Sequence, residues 1–267
     1  MKLLFSEHNS DYAHYQFPYA ILAVPDAGEA PADIFNAGFL PSARGLDRFY
    51  MCRQVRVDLR KFEPTSENRR ILRKGRGIHA ELVPRAQYNY TPERREFFKT
   101  YADARFGNEV MPYERLDLLF SSPVTSHALV FTEEATRQEI GVAILYLEDP
   151  ALVFYRFAFY DLGHFNRSLG MFMMTTAAVE FAARGVKHLY LGTCYSERAL
   201  YKTQFSGVEF FNGFRWSDNL EELRFLIQRD LKKQPGHLTD NEEYLRMFYE
   251  GKLEAISGMG GFGVKLE

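Results

Sequence analysis

The alternation of apolar and polar positions predicts a strand, a turn, a helix and a second strand in the middle of the chain. The two strands, at 152–160 and 187–192, carry aromatic and branched side chains. The helix between them has an apolar stripe, ends at Gly185 and begins after the polar run Asn166-Arg167-Ser168-Leu169-Gly170. Free N–H groups and the helix dipole favour negative charge at such a helix start. We therefore expect an anionic ligand there.

The same pattern predicts an α+β fold around this unit. Strands at 128–132, 140–148 and 152–160 follow one another as an antiparallel meander. Further strands are predicted at 20–24, 49–59, 78–83 and 207–214, and helices at 32–37, from 65, at 91–106, 113–119, 196–202, 220–233 and 239–256. The rest of the first 45 residues is predicted to be irregular, and 258–267 to be mobile. We expect a mixed, mostly antiparallel sheet flanked by helices.

Composition limits what this fold can be. The chain has 267 residues, and we predict two lobes, at 1–110 and 111–267. Its two cysteines are far apart and its seven histidines show no ligand pair, so we expect neither disulfides nor a metal. No apolar run is long enough for a secretory signal or a membrane span, which predicts a cytoplasmic protein without a membrane partner.

Positive charge is concentrated between residues 48 and 76, where ten Lys or Arg accompany three acids in a chain of net charge −2. Four of these cations, Arg69, Arg70, Arg73 and Lys74, lie on adjoining turns of the helix that begins at 65. Such a run is either a solvated helix face or a phosphate-binding surface. The overall charge argues against DNA as a partner and leaves only a local patch for RNA.

Two motifs of the central unit resemble those of the GNAT N-acyltransferases. Residues 167–172, RSLGMF, are similar to that family's Arg/Gln-x-x-Gly-x-Gly/Ala turn, whose amides hold a cofactor pyrophosphate. Residues 199–205, ALYKTQF, are similar to its Leu-Tyr-x-Lys-x-Gly-Phe segment, in which the tyrosine is a general acid. The resemblance implies a GNAT-like fold, in one or both lobes. Phe172 departs from the turn motif and is expected to crowd a pyrophosphate, which disfavours coenzyme A.

A closer resemblance covers roughly residues 35–216 and is to the arginyl- and leucyl-tRNA-protein transferases. It rests on five blocks in the same order as in that family: FYD at 159–161, RSLG at 167–170, LYLG at 189–192, LYK at 200–202 and GFRW at 213–216. Looser matches are GFLPS at 38–42 and FEPTSENRR at 62–70. The resemblance implies transfer of Arg or Leu from a charged tRNA to the N-terminal amine of a protein.

The chain also departs from that family. The family's amino-terminal cysteine cluster is reduced to Cys52, Leu162 replaces a proline after Asp161, and Thr193-Cys194-Tyr195 follows Gly192 where the family has an aromatic residue at once. The last two changes fall where the acceptor peptide is expected. These departures leave two alternatives to the family's reaction: a different acceptor or a different activity.

The resemblance implies roles for particular residues, each of which also has a structural alternative. Tyr201 is expected to protonate the leaving ribose oxygen, or else to be a core tyrosine. Asp161 is expected to bind or deprotonate the acceptor amine, or else to form a turn. The predicted substrate-binding residues are Arg167, Ser168, Gly170, Lys202 and Tyr195, and the predicted tRNA-binding residues are Arg69, Arg70, Arg73 and Lys74. Cys194 is expected to be a buried thiol.

Three functions follow as hypotheses. The first is tRNA-dependent aminoacyl transfer, which needs no cofactor beyond the charged tRNA because the amine attacks an activated ester. The second is N-acyl transfer from acetyl-coenzyme A. The third is recognition of protein N-termini without catalysis.

Overall fold

The computed structural model describes residues 1–233 and 236–257, apart from the side chains of residues 165–167 and 257. The glycine-rich segment 258–267, which the sequence predicts to be mobile, lies outside the described residues. The strands form a sheet of four strands and a sheet of eight. The predicted mixed, mostly antiparallel arrangement flanked by helices is confirmed.

The smaller sheet is built from the first fifty residues. Its elements are β1 (Lys2–Glu7), β2 (Tyr19–Val24), β3 (Phe39–Pro41) and β4 (Phe49–Met51), with helix α1 (Pro31–Asn36) between β2 and β3. The strand order is β1-β2-β4-β3, and all pairs are antiparallel. Strand β1 was not expected, because its KLLFSE sequence does not alternate; pairing with β2 along its whole length forms it instead.

The larger sheet has the order β12-β11-β5-β10-β9-β8-β7-β6. Its strands are β5 (Gln54–Asp58), β6 (Ile78–Pro84), β7 (His127–Glu133), β8 (Glu139–Glu148), β9 (Leu152–Tyr160), β10 (His188–Thr193), β11 (Val208–Phe211) and β12 (Trp216–Ser217). The meander β7-β8-β9 is antiparallel as predicted, and β10 then joins β9 in parallel. This strand–strand–strand–helix–strand order is the one that the GNAT resemblance implies.

The helices cover both faces of the larger sheet. They are α2 (Ser66–Lys74), α3 (Pro92–Phe106), α4 (Tyr113–Ser121), α5 (Leu169–Ala183), α6 (Leu220–Leu231), α7 (Glu242–Phe248) and α8 (Leu253–Ser257). Residues of α2, α5, α6 and α7 share one apolar core, α3 and α4 share a second, and α1 with the smaller sheet forms a third. Strands β5 and β6 precede residue 110 yet lie in the same sheet as β7 to β12, and the division into two lobes stays a prediction.

Three predicted elements are wrong in their extent. The strand predicted at 49–59 is two strands, β4 and β5, because the chain passes between the two sheets at Cys52 and Arg53. The helix predicted at 239–256 is divided into α7 and α8, since Glu250 and Gly251 have positive φ. The helix predicted at 196–202 is the 3₁₀ segment Glu197–Thr203.

The central position of β10 predicts a pH dependence of stability through His188. This side chain is 9 % exposed, and burial, with Arg56 nearby, lowers the pKa of His188 from 6.5 to about 4 despite the opposing charges of Asp58 and Glu209. The unfolded chain takes up this proton below pH 6.5 and the folded chain does not. Stability is therefore expected to fall by about 3 kcal/mol between pH 6.5 and 4.

Urea unfolding of the wild type and of His188→Asn across this pH range would measure the effect. The variant is expected to have the shallower slope, by up to about 1.4 kcal/mol per pH unit. Equal slopes for the two proteins would contradict the assignment.

Candidate active site

Strands β9 and β10 separate part-way along their length and leave a gap in the sheet. Within the described chain, their parallel pairing runs from Leu152–His188 to Phe154–Tyr190 and covers three residue pairs. Strand β9 continues to Tyr160 paired with β8, while β10 shifts register between Tyr190 and Gly192 and continues paired with β5. We call the space beyond Phe154 and Tyr190 the strand gap. The backbone edges that face it are placed to bind a polar group.

Four tyrosines gather near the strand gap: Tyr155 lies in the core that contains α5, and Tyr101 lies on α3 in the core of α3 and α4. Burial among Tyr201, Tyr101 and Tyr160 raises the pKa of Tyr155 well above its ordinary value. The hydroxyl of Tyr155 is buried and has no hydrogen-bond partner among the described residues. The rings of Tyr101 and Tyr160 are 4.7 Å apart, and Arg105 donates from Nη2 to Tyr160 Oη at 2.8 Å. We call these four tyrosines the tyrosine cluster. Together with Arg105, the cluster offers hydroxyl donors and a cation to a ligand.

The tyrosine cluster touches the start of α5, where the sequence predicts an anion site. A Cβ atom at Gly170 would lie 2.7 Å from Tyr160 Oη, so only glycine allows this close approach. Ser168 has left-handed backbone angles, with φ 52°, and its hydroxyl accepts from Lys74 Nζ at 3.3 Å. The predicted residues Ser168 and Gly170 thus lie together, whereas the side chain of Arg167 lies outside the described part of the chain.

The position of Phe172 overturns one inference from the sequence. Its ring is 5 % exposed and packs against Phe131 and against Gly75, where a Cβ atom would lie 2.0 Å from the ring. Phe172 therefore points into the core between α2 and α5. It does not crowd the turn, and the objection to coenzyme A that the sequence raised is wrong.

Tyr201 and Lys202 occupy the 3₁₀ segment after β10. Tyr201 is 41 % exposed, and its partial burial, with Tyr160 nearby, raises the pKa of Tyr201. Lys202 donates from Nζ to Thr193 O at 2.9 Å, and burial lowers the pKa of its ammonium. Lys202 therefore lies folded back over the end of β10, while Tyr201 remains a protonated, accessible donor at neutral pH.

The two cysteines lie near Lys202 and are thiols. Burial raises the pKa of Cys52 to about 12 and also raises the pKa of Cys194, in each case against the opposing charge of Lys202. A buried thiol with a raised pKa is a poor nucleophile. The prediction that Cys194 is a buried thiol agrees with its 0 % exposure.

Asp161 ends β9 and is held by local contacts. Its Oδ1 accepts from the N–H of Gly163 at 2.8 Å, and its Oδ2 lies 3.1 Å from Nδ1 of His164. His164 Nε2 is 3.9 Å from Glu133 Oε1. These contacts form the turn that the structural alternative expects, and they add a histidine that the sequence reasoning did not select. A role of Asp161 at the acceptor amine stays a prediction.

Tyr195 lies just after β10, next to Arg53. Its hydroxyl accepts from the N–H of Arg53 at 2.7 Å, and the Arg53 guanidinium lies 4.7 Å from the ring centre. The ring remains 49 % exposed. Tyr195 is thus accessible to a substrate, as its predicted binding role requires.

The basic helix α2 lies beside the start of α5. Thr65 and Asn68 form a capping box that fixes where α2 begins. Arg69, Arg70 and Arg73 are exposed, and Arg70 pairs with Glu67 at 2.5 Å. Lys74, at the other end of the helix, points to Ser168 as described above. The structure therefore joins the predicted basic surface to the predicted anion site.

Two aromatic residues of the family-like blocks hold an arginine in place. The Arg56 guanidinium lies 3.8 Å from the ring centre of Trp216 and donates to Glu209 Oε2 at 2.8 and 2.9 Å. Trp216 Nε1 donates to the backbone oxygen of Asn36 at 2.7 Å. Tyr190 Oη donates to Asn36 Oδ1 at 3.0 Å. This network joins α1 to the centre of the sheet. Tyr190 and Trp216 thus build the scaffold of the site.

The described residues show no group of three or more His, Cys, Asp or Glu that could hold a metal ion. Over the same part of the chain, the longest and most apolar helices fall short of what a membrane span requires.

Comparison with known proteins gives homologues that are transferases. No protein-family model matches the chain. The protein named aspartate/glutamate leucyltransferase from Ruegeria pomeroyi is 28 % identical to this chain over 192 residues, which cover 69 % of this chain and 68 % of the relative. The protein of the same name from Rhodospirillum rubrum is 29 % identical over 171 residues, which cover 62 % of this chain and 68 % of the relative. The one from Marinobacter nauticus is 27 % identical and covers 62 % of this chain and 70 % of its own. These homologues confirm the prediction of an enzyme of the aminoacyltransferase type.

Solved structures give partial matches. FemX aligns with a TM-score of 0.40 and 11 % identity over 68 % of this chain and 65 % of its own. The GCN5-related glucosamine N-acetyltransferase region of a fungal multi-domain protein aligns with a TM-score of 0.39 and 13 % identity over 70 % and 23 %. Our description of the fold rests on the strand order of this chain.

Proposed function

We propose that this protein transfers an aminoacyl group, leucyl by analogy with its relatives, from a charged tRNA to the N-terminal amine of a protein that begins with Asp or Glu. The observation that carries the proposal is the repeated similarity, over 62 to 70 % of the chain, to proteins named aspartate/glutamate leucyltransferase. The strand gap, with donors on both sides, provides a place where an ester and an amine can meet.

The proposed chemistry uses the two sides of the gap differently. The 3′ end of the tRNA approaches from the α5 side, where the helix start, Lys74 and Arg105 favour phosphate. The ester carbonyl enters the gap and is polarised by backbone N–H groups. The neutral acceptor amine attacks this carbon, the bond to the ribose oxygen breaks as Tyr201 donates its proton to that oxygen, and the proton that the attacking nitrogen loses restores the Tyr201 hydroxyl.

The test is to incubate the protein with a mixture of charged tRNAs and peptides that differ only in their first residue, and to weigh the products. We expect peptides that begin with Asp or Glu to gain the mass of one leucyl residue. Absence of product with every charged tRNA would overturn the proposal, and acetylation with acetyl-coenzyme A would support the acyltransferase alternative.

The basic helix gives a second expectation, for tRNA affinity. Each phosphate contact contributes to the salt dependence of binding, so Arg69→Ala, Arg70→Ala and Arg73→Ala together should lower the slope of log K against log salt by about 2. The measurement is tRNA binding between 50 and 200 mM salt. As a matched control, Arg94→Ala and Arg95→Ala remove two cations of α3 that already pair with Glu139 and Asp117. A slope unchanged by the α2 substitutions would exclude α2 from the tRNA surface.

A further inference from the structure

We infer that Arg156 is the residue that binds the side-chain carboxylate of the acceptor's first residue. This inference rests on the proposed function and assigns a specificity-determining role to a residue that none of the sequence motifs contains. It comes from the way in which β9 presents Arg156 beside the strand gap.

A β-bulge in β9 turns Arg156 away from the regular ladder. Leu145 pairs with Tyr155 and Ile144 with Phe157, so Arg156 is the extra residue between them. Bulges re-aim side chains and occur next to active sites. This one lies two residues beyond Phe154, where the pairing of β9 with β10 ends.

Arg156 lies on the face of the sheet opposite to Tyr155, beside the end of α4. Its guanidinium donates to Thr125 Oγ1 at 3.1 Å and to the carbonyls of Leu119 and Ala43 at 3.4 and 2.9 Å. Its neighbour Tyr155 packs instead in the core that contains α5. The strand gap therefore has a phosphate-favouring side and, across the sheet, a side with a fixed arginine. A donor and an acceptor can approach the gap from these two sides without collision.

The contacts of Arg156 within the described chain are with neutral oxygens. Among the described residues, no Asp or Glu forms an ion pair with Arg156, and two of its five N–H donors, including that on Nε, have no acceptor. Burial lowers the pKa of Arg156 to about 10, with Arg115 adding to this effect and Tyr50 opposing it. A partly buried, still charged guanidinium held only by neutral oxygens is placed for a carboxylate from outside.

Tyr50 extends the same surface towards Tyr195. Its ring is 38 % exposed, and burial, with Cys52 and Tyr195 nearby, raises the pKa of Tyr50 to about 12, so its hydroxyl remains a donor. Arg156, Tyr50 and Tyr195 together offer a cation and two aromatic faces. This surface fits an acidic side chain followed by a short extended peptide.

The test compares peptides that begin with Glu or with Gln, which differ by one charge at equal size. For the wild type we expect kcat/KM to be at least about 100-fold higher for the Glu peptide. Arg156→Gln should reduce this ratio to within about threefold and leave transfer to the Gln peptide little changed. Arg156→Lys keeps the charge without the planar fork and should give an intermediate ratio. Arg115→Gln, which removes another positive charge near Arg156, is the control and should keep the full ratio.

Peptide binding measured by calorimetry separates this inference from the proposed function. If no transfer occurs with any peptide but Glu peptides bind more tightly than Gln peptides, and Arg156→Gln removes this difference, the carboxylate site stands and the proposed reaction fails. If transfer occurs and the wild type does not distinguish Glu from Gln, or a folded Arg156→Gln keeps the full ratio, the inference about Arg156 is overturned and the proposed reaction stands.

Discussion

Replacing Glu222 by leucine is expected to cost about 4 kcal/mol of the free energy of unfolding. Glu222 is 1 % exposed. Its Oε1 accepts hydrogen bonds from Tyr244 Oη at 2.6 Å, Tyr249 Oη at 2.8 Å and Asn212 Nδ2 at 2.9 Å. Its Oε2 accepts a hydrogen bond from Ser217 Oγ at 2.9 Å. Leucine fills a similar volume but removes the acceptor that these four donors share, and Asn212 Nδ2 keeps only its contact with Tyr249 Oη at 2.7 Å. Because the contacts join α6, α7 and β12, the loss should appear as a lower midpoint in urea.

Glu222→Gln is the matched variant and should cost only about 1 kcal/mol. Its carbonyl oxygen can replace Oε1, and the Ser217 hydroxyl can rotate to accept from its amide. Glu221→Gln makes the same change at an exposed position and should have no effect beyond about 0.5 kcal/mol. An equal cost for Glu222→Leu and Glu222→Gln would contradict the assignment of this stability to hydrogen bonding.

Replacing Tyr201 by phenylalanine is expected to lower kcat for aminoacyl transfer by about 100-fold or more, with little change in KM. The substitution removes one oxygen from a side chain that is 41 % exposed, so the fold should tolerate it. The physical reason is the leaving ribose oxygen, which needs a proton as the ester bond breaks. Single-turnover transfer from pre-bound charged tRNA would measure the chemical step directly.

The pKa of Tyr201 gives this expectation a pH signature. Burial raises it above its usual value near 10, so the hydroxyl keeps its proton throughout the neutral range. The wild-type rate should therefore show no fall due to Tyr201 between pH 7 and 9. Tyr19→Phe removes the same oxygen from an exposed tyrosine of β2 and should leave kcat unchanged. A Tyr201→Phe rate within threefold of wild type would assign the proton donor elsewhere.

Local signals in the sequence were sufficient for most of the larger sheet. The strand predicted at 152–160 has the observed bounds of β9, and the cap and proline at Thr91 and Pro92 gave the start of α3. Elements that depend on distant pairing were harder. Strand β1 forms by pairing with β2. The break at Cys52 arises because β4 and β5 belong to different sheets. A local sequence pattern encodes neither feature.

The candidate site was predicted only where motifs carry it. The start of α5 and the residue pair Tyr201-Lys202 have sequence signatures, and the structure brings the first of these next to α2. The roles of these residues remain predictions. Arg105, Tyr155 and Arg156 lie in ordinary-looking segments, and their placement comes from a sheet gap and a bulge that appear only when the strands are paired. The sequence does not show that Arg156 lies away from acidic side chains in the folded chain.

The place of β5 in the sheet has a consequence for how the protein is made. This strand leaves the ribosome early, but its neighbours β10 and β11 follow about 130 and 150 residues later. At roughly 5 to 20 residues per second, the nascent chain carries β5 without its neighbouring strands for about 7 to 26 s before β10 emerges. For the same reason, a gene divided after residue 110 would yield a carboxyl-terminal polypeptide whose larger sheet lacks the interior strand β5 and the edge strand β6.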